Sequence, residues 1–597
     1  MQQDELNRLV ADTKEGRLSR RSFIGRLAGV GIAAPFASRI LAWNDVAMAN
    51  ATLEYKPSKA GGGGPLKMLL WQAPTLLNPH FAAGTKEQVA SRVFFEPLAG
   101  WDKEGNLVPQ LAAVVPSKAN GGLSEDGTSV VWTLKQGVKW HDGRPFTADD
   151  VVFTWEYARD PETAAYTSGA YRDIQVEKID DFTVKVVFAR PTPFWADPFV
   201  GVAGMILPKH HFGEYKGARS REAPANLKPV GTGPYKFAEF KPGDILTGTR
   251  NEDYHVRNQP HFDSIELKGG GDAVSAARAV LQTGEFDYAW NLQVEDEVLK
   301  RMENGGRGRV IASPAGDLEF ITLNTTDPWT EVDGERSSVK TKHPTLSDPA
   351  VRAAINLLID RDSIQKFIYG RGGTATASFV NEPKQFKSTK LKYEFNIDKA
   401  NKLLDDAGWK KGADGIREKD GKKLKYVFQT AINAPRQKTQ AIIKQACQKA
   451  GIDLELKSVT PSVFFSSDLA NPDTNTKFYC DMQMYTTSQS QPDPERSLNQ
   501  FVSWEIATKE NKWQGRNISR YSDPAADEAY RASQKELDPV RRAELLIKVN
   551  EIFCEANVIL PVLSRTRLVA AGTRLNVDHS GWDADTWNLG AWYRDTA

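Results

Sequence analysis

Two apolar, extended segments far apart in the chain, "LEFITLN" (318–324) and "VILPVLSRTRLVAA" (558–571), constrain the fold more than any other feature. Helix and strand patterns alternate on either side of a mixed block at 100–200, which implies two α/β lobes with an insertion. A chain of 597 residues is too long to fold around one core. Within and beside these runs, segments near 318–326 and 558–568 are expected to carry the chain out to a second lobe and back, which makes a hinge with a ligand cleft between the lobes.

The local patterns are explicit. "LKMLLWQ" (66–72) predicts a buried strand, and "FTVKVVFAR" (182–190) and "FDSIELKGG" (262–270) predict two more. "VVWTLKQGVKW" (130–140) predicts a hairpin turning at Gln136-Gly137. "TADDVVFTWEYARD" (147–160) predicts a helix capped by Thr147, with Asp149 and Asp150 in its first turn. "DAVSAARAVLQTG" (272–284) predicts a helix closed by glycine, followed by a short strand at "FDYAW" (286–290). Residues 347–370 predict one long helix with Asp348 as N-cap, Pro349 in the first turn and Gly370 at the end. A helix at 398–409, a strand at 423–430, a helix around Cys447, a strand at 452–459 and a helix at 539–556 continue the theme.

The first 49 residues predict no part of the fold. Arg20-Arg21 precede Ser22-Phe23-Ile24 and a Gly/Ala-rich apolar run, and Ala47-Met48-Ala49 offers a cleavage site. This pattern resembles a twin-arginine export signal, so the twin-arginine machinery is an expected partner and the bacterial periplasm the expected location. Residues 50–65, with four consecutive glycines, predict a flexible leader. Cys447, Cys480 and Cys554 are odd in number and widely spaced, which suits neither a disulfide framework nor a metal site; Cys447 predicts a buried helical thiol. With 77 Lys+Arg against 76 Asp+Glu there is no basic surplus, so no nucleic-acid partner is expected.

Four landmarks in order resemble one family: "WTLKQGVKWHDGRPFTADDVVFTWEYA" (132–158), "VGTGPYKFAEFKPGD" (230–244), "VRAAINLLIDRDSI" (351–364) and "DKANKLLDDAGW" (398–409). They are similar to the family 5 extracytoplasmic solute-binding proteins, the oligopeptide/dipeptide-type binding components of ABC importers. The resemblance spans residues 66–597. It implies a two-lobed α/β type II periplasmic-binding-protein fold with a third domain inserted in the first lobe. Domain I would be 66–95 with 205–320 and 565–597, domain II 96–204, and domain III 321–564. His141, Asp142 and Gly143 would form a structural turn.

The family often carries Gly-Trp-x-Ala-Asp-Tyr-x-Asp-Pro, whose middle aspartate pairs with a peptide's α-amine. Anchored on Asp493-Pro494, Thr486 falls at the glycine, Thr487 at the tryptophan and Ser490 at the aspartate. A buried ammonium needs a nearby anion, and serine brings none. Either the ligand is held without a free α-amine, or another acid serves, with Asp493 the alternative. If the family geometry holds, Trp71, Trp290 and Tyr485 offer an aromatic wall, and Asn291, Gln293, Asn324 and Asn381 offer amides, the last from a loop closing over the cleft. Aromatic core packing is the competing explanation for each ring.

Catalytic and cofactor motifs such as H-E-x-x-H, G-x-S-x-G and G-x-x-x-x-G-K-[ST] do not occur. "GGGD" (269–272) reads as a turn rather than a phosphate cradle. Adjacent His210 and His211 would point about 100° apart on a helix, and the eight histidines do not cluster in sequence, so no metal and no cofactor is expected. The expected function is a non-enzymatic, monomeric solute-binding component. It would capture an oligopeptide or related polar solute and deliver it to a membrane permease. A glycoside or sugar–amino-acid conjugate is the second ligand class; a secreted enzyme or a metal or haem scavenger are the rivals.

Overall fold

The computed structural model describes residues 3–14, 17–29, 37, 40, 55–82, 84–466, 470–489, 491–513 and 515–595. One sheet of eleven strands runs through it. In chain order these are β1 (Pro65–Leu70), β2 (Tyr235–Lys241), β3 (Ile245–Arg250), β4 (Ser264–Gly269), β5 (Tyr288–Ala289), β6 (Gly308–Leu323), β7 (Gly373–Ala375), β8 (Lys425–Ala431), β9 (Asp453–Val459), β10 (Met482–Thr487) and β11 (Ile559–Gly572). Their order across the sheet is β9-β8-β10-β6-β11-β5-β1-β4-β3-β2, with β7 beside β11.

β1 lies parallel to β4 and β5, and β8 lies parallel to β9 and β10. Each lobe is thus a parallel-centred sheet, whose strands need helical crossovers and so bury both faces. The apolar segments 318–324 and 558–571 fall in β6 and β11, which pair antiparallel from Gly308–Gly572 to Thr322–Ile559. The pairing slips between Pro314 and Leu318, a bulge that bends the strand midway. Val569 and Ala571 of β11 sit in the core with Leu66, Met68 and Tyr288, whereas Leu560 and Val562 sit in the core with Ile321, Leu454 and Ile443. The same two strands therefore belong to both lobes.

A separate three-stranded sheet of Ser129–Thr133, Thr183–Phe188 and Ile174–Asp180 packs with the helix α1 (Ala148–Arg159) around Trp132, Trp140 and Val186. α1 begins with the expected Thr147 cap, in a capping box with Asp150. The C-terminal segment ties this inserted block to lobe one: Trp582 enters its core, and buried Arg92 pairs with Asp583 at 3.2 Å.

Several expectations change. The hairpin at Gln136-Gly137 does not form, because Ser129–Thr133 pairs with the distant strand Thr183–Phe188. The chain does turn at Gln136-Gly137, with Gly137 at φ +78°, and turns again at Asp142-Gly143, where Trp140 N–H donates to the Arg144 carbonyl (2.8 Å) and Gly143 takes φ +90°. The helix expected over 347–370 breaks after Pro349–Leu357, and Asp360 caps a new start at Arg361 by accepting from Ser363 N–H. The described part of the leader is pinned. The Asp263 carboxylate accepts from Gly62 and Gly64 N–H (3.0 Å each), and Tyr55 donates to the Asn258 carbonyl (2.7 Å). Positive φ at Gly61, Gly62 and Gly64 lets the backbone wrap that carboxylate, so the glycines here serve a contact rather than slack.

Arg20–Gly29 forms a short helix, but the side chains of Arg20 and Arg21 and the expected cleavage site lie outside the described residues. All three cysteines are free and buried, and burial pushes the Cys447 thiol up to about 12. Among the described residues no helix is long and apolar enough to cross a membrane.

Candidate ligand-binding site

In open α/β sheets, ligands bind beyond the carboxyl ends of the parallel strands. Here those ends come from both lobes. Trp71 follows β1 and Trp290 follows β5; Asn433 follows β8, and Thr486 and Thr487 end β10. The rings of Trp71 and Trp290 lie 6.3 Å apart, tilted by 37°. Trp71 Nε1 donates to the Asn291 carbonyl at 3.0 Å, and Asn291 holds a left-handed φ of +52° to present it. Trp290 is nearly buried while Trp71 is half-buried, so Trp71 is the more available surface.

The strand ends of the two lobes touch. Asn433 caps the helix α2 (Ala434–Lys449) through its carbonyl oxygen, and its amide donates to Gln293 Oε1 of lobe one. One turn along α2, Lys438 donates to both Glu295 oxygens at 2.7 and 2.8 Å. Nearer the crossover strands, Arg371 pairs with buried Asp296 at 2.6 Å and with Glu303.

Beside this contact lies a buried charge cluster not anticipated from sequence. Glu319 on β6 is fully buried; its Oε1 accepts from Arg436 Nε of α2 (2.7 Å), and its Oε2 accepts from the Thr486 hydroxyl (2.7 Å) and from Arg565 Nη1 of β11 (3.1 Å). Burial alone would raise this carboxyl, but the two guanidiniums and the hydroxyl outweigh it and hold it below the ordinary range. Two guanidiniums share one carboxylate, so the cluster carries a surplus positive charge. Arg565 Nε is buried without a hydrogen-bond partner among the described residues, and its guanidinium lies 5.3 Å over the Tyr369 ring. The sequence signal was present: Glu319, Arg565 and Arg567 are charges inside otherwise apolar crossover segments.

The expected residues divide. Period-two alternation along β10 sends Thr486 to the Glu319 face and Tyr485 and Thr487 to the other. On that other face Tyr485 packs edge-on against Phe320 at 4.7 Å. Trp71, Trp290, Asn291 and Gln293 gather at the strand ends of lobe one, with Gln293 reaching Asn433 of lobe two, and Thr486 belongs to the Glu319 cluster. Ser490 lies outside the described residues.

Three residues are corrected. Asn324 is fully buried; its amide donates to the Ser337 hydroxyl and the Phe478 and Cys480 carbonyls, and its carbonyl oxygen accepts from Thr326. Asn381 is spent on Thr376 and Ser378 (2.6 Å each), and the loop carrying it is knitted to Asn550, so it is no free lid. Asp493 is 1% exposed and bridged by Arg542 (2.5 and 3.0 Å), so its carboxylate is committed inside lobe two. The capping box of Asp272 with Ser275 likewise fills the helix end after the GGGD turn. An open depression of about 450 Å3 between Asp173 and Arg190 of the inserted block and Trp504, Arg531, Gln534 and Lys535 contains none of the strand-end residues.

The family model "Bacterial extracellular solute-binding proteins, family 5 Middle" matches residues 106–509. The oligopeptide-binding protein AppA of Bacillus subtilis (strain 168) is 29% identical over 421 residues, covering 69% of this chain and 72% of its own. A putative ABC transporter peptide-binding protein of Brucella ovis is 27% identical over 454 residues, covering 75% and 77%. The solved structure of Bacillus subtilis AppA in complex with a nonapeptide superposes with a TM-score of 0.75 at 24% identity, covering 91% of this chain and 100% of that one. The fold is therefore the two-lobed periplasmic-binding architecture.

Proposed function

This chain belongs to family 5 of the bacterial extracellular solute-binding proteins, and from that premise we propose that it captures a peptide or related polar organic solute between its lobes for an ABC importer permease. The family acts by binding solutes, not by catalysis. One observation carries the reading: the carboxyl ends of the parallel strands of both lobes meet through Gln293–Asn433 and Glu295–Lys438, on a hinge of two paired crossover strands. Ligand placed there stabilises the closed arrangement by its differential affinity, and the closed form is what the permease receives. The chain works in the periplasm as a monomer, delivered by the twin-arginine route.

The ligand's chemistry follows from the charge cluster. Glu319, the β6 acid opposite Thr486 at the end of β10, is already shared by Arg436, Arg565 and Thr486, so an incoming ammonium meets surplus positive charge. A solute that turns an acceptor or anionic group toward Arg565 suits the site better than one anchored by a free α-amine. The Trp71–Trp290 pair also favours a sugar-bearing conjugate as the second ligand class.

Calorimetry on peptides found with the native protein by mass spectrometry tests this. Matched free and N-acetylated forms should differ by under about 1.5 kcal/mol, one hydrogen bond's net worth. A hundredfold loss on acetylation would mean that an acid holds the amine and that this ligand reading is wrong.

A further inference from the structure

The turn at His141–Arg144 meets the short helix Lys209–Phe212, and neither takes part in the cleft. His210 Nε2 lies 2.7 Å and His211 Nε2 3.1 Å from the same oxygen, Oδ2 of Asp142. All three atoms lie within 4.8 Å of one another. Adjacent histidines on a long helix would diverge; here the helix is four residues long, the rings stand 4.5 Å apart, and the carboxylate comes from another segment. His141, the neighbour in sequence, is used elsewhere, with Nε2 against the Gly233 carbonyl and Nδ1 accepting from Gly231 N–H.

The three groups are held from behind. Asp142 Oδ1 accepts from Arg144 N–H at 3.2 Å, which turns Oδ2 toward the imidazoles. His210 packs edge-on against Trp140, with ring centroids 6.3 Å apart. Beneath them the buried Asp150 carboxylate accepts from Trp140 Nε1 (3.2 Å), Thr147 N–H (3.1 Å) and Lys209 N–H (3.0 Å). One buried acid therefore fixes both elements that bear the candidate ligands. The side chains of His210, His211 and Asp142 remain 17%, 36% and 30% exposed, open to an ion from solvent.

We propose that Asp142, His210 and His211 form a binding site for a divalent transition-metal ion of the zinc class. Two imidazole nitrogens and one carboxylate oxygen suit Zn2+ and its neighbours, whereas Ca2+ and Mg2+ take oxygen ligands throughout. Ligands about 2.1 Å from one ion stand about 3.0–3.4 Å apart; the 3.1 Å spacing of His211 from Asp142 falls in that range, and the 2.7 Å hydrogen-bonded spacing of His210 has to open by about 0.3 Å to admit the ion. Three protein ligands leave a position for water, as in open zinc sites. The hydrogen bond from Arg144 and the packing of Trp140 supply the orienting surroundings that metal ligands use. A bound ion would fasten the inserted block's turn to the segment returning to lobe one.

The test uses tag-free mature protein stripped with a chelator and titrated with ZnCl2, followed by Co2+ absorption in the visible. One equivalent should bind, and Mg2+ at tenfold excess should not displace it. Asp142→Asn and His210→Ala should each weaken Zn2+ at least tenfold, and the thermal midpoint should rise with Zn2+ in the wild type only. His211→Gln keeps a donor for Asp142 and so preserves the apo fold, checked by circular dichroism, while losing the imidazole; it too should weaken Zn2+ at least tenfold. Absence of one-to-one binding in the wild type, or unchanged affinity in folded His211→Gln and in His210→Ala, overturns the proposal.

Discussion

Asp493→Ala should destabilise lobe two and leave ligand selectivity nearly unchanged. Asp493 is 1% exposed and the Arg542 side chain 6%, so the pair is desolvated. Removing one partner of such a pair costs about 3–5 kcal/mol, because a buried charge loses its counterpart. Arg542 keeps Glu495 at 2.6 Å, a partner 22% exposed, which places the expected loss near the lower bound, about 3 kcal/mol. The bond from Glu495 N–H to Asp493 Oδ1 (3.0 Å) is lost as well. For a unit of 150–250 residues each kcal/mol moves the thermal midpoint by about 2–4 °C, so a drop of about 6–12 °C is expected by calorimetry. Removing both partners in Asp493→Ala/Arg542→Met should cost less than the sum of the single changes. Affinity for a free-amine peptide, measured well below the midpoint, should change by less than about threefold, less than half a hydrogen bond's strongest net value. A midpoint that falls by under about 2 °C, together with a hundredfold loss for the free-amine peptide alone, would refute the structural role and make Asp493 the amine-binding acid.

Three further outcomes are expected. His80 is buried, with Nε2 at 3.0 Å from the Met205 carbonyl, and burial pushes its pKa from 6.5 down to about 4. Its neutral form is the folded one. Stability is full above pH 6.5 and falls by about 3 kcal/mol as the pH drops toward 4, so His80→Gln should flatten the midpoint-versus-pH curve in that window; an equal slope in the variant counts against this. Gln293→Ala/Lys438→Ala removes two contacts between the lobes, each worth about 1 kcal/mol or less, and small-angle scattering should show a larger radius of gyration without ligand, recovered at saturation. An unchanged radius would mean that these contacts do not hold the cleft. Arg20→Lys/Arg21→Lys should leave precursor in the cytoplasm by fractionation, and normal export would rule out the twin-arginine route.

The layered α/β fold was legible in sequence because period and capping are local. Thr147 and Asp348 announce their helices, and the apolar runs at 318–324 and 558–571 announce the crossover strands. The break at Leu358–Asp360 carries a local mark, the Asp360 cap on Ser363 N–H, but the apolar pattern that continues through it masks that mark. The family resemblance implied strand-end positions for Trp71, Trp290 and Tyr485; Trp71 and Trp290 follow their strands directly, whereas Tyr485 lies within β10 and packs on Phe320.

What sequence left open was which polar groups are spent. Asn324, Asn381 and Asp493 have the right chemistry for a ligand, but their bonding capacity is already used: by the distant Phe478 and Arg542 for Asn324 and Asp493, and by Thr376 and Ser378 of its own loop for Asn381, a loop whose shape distant Asn550 holds. The converse holds for Glu319, Arg436 and Arg565, which come from two crossover strands and one helix and meet only when the lobes form. Asp142, His210 and His211 meet for the same reason. Sequence determined the periodicities and the caps, which depend on neighbours within a few residues. Tertiary structure alone decided which charges are paired, because a buried carboxylate's state depends on cations brought to it through space.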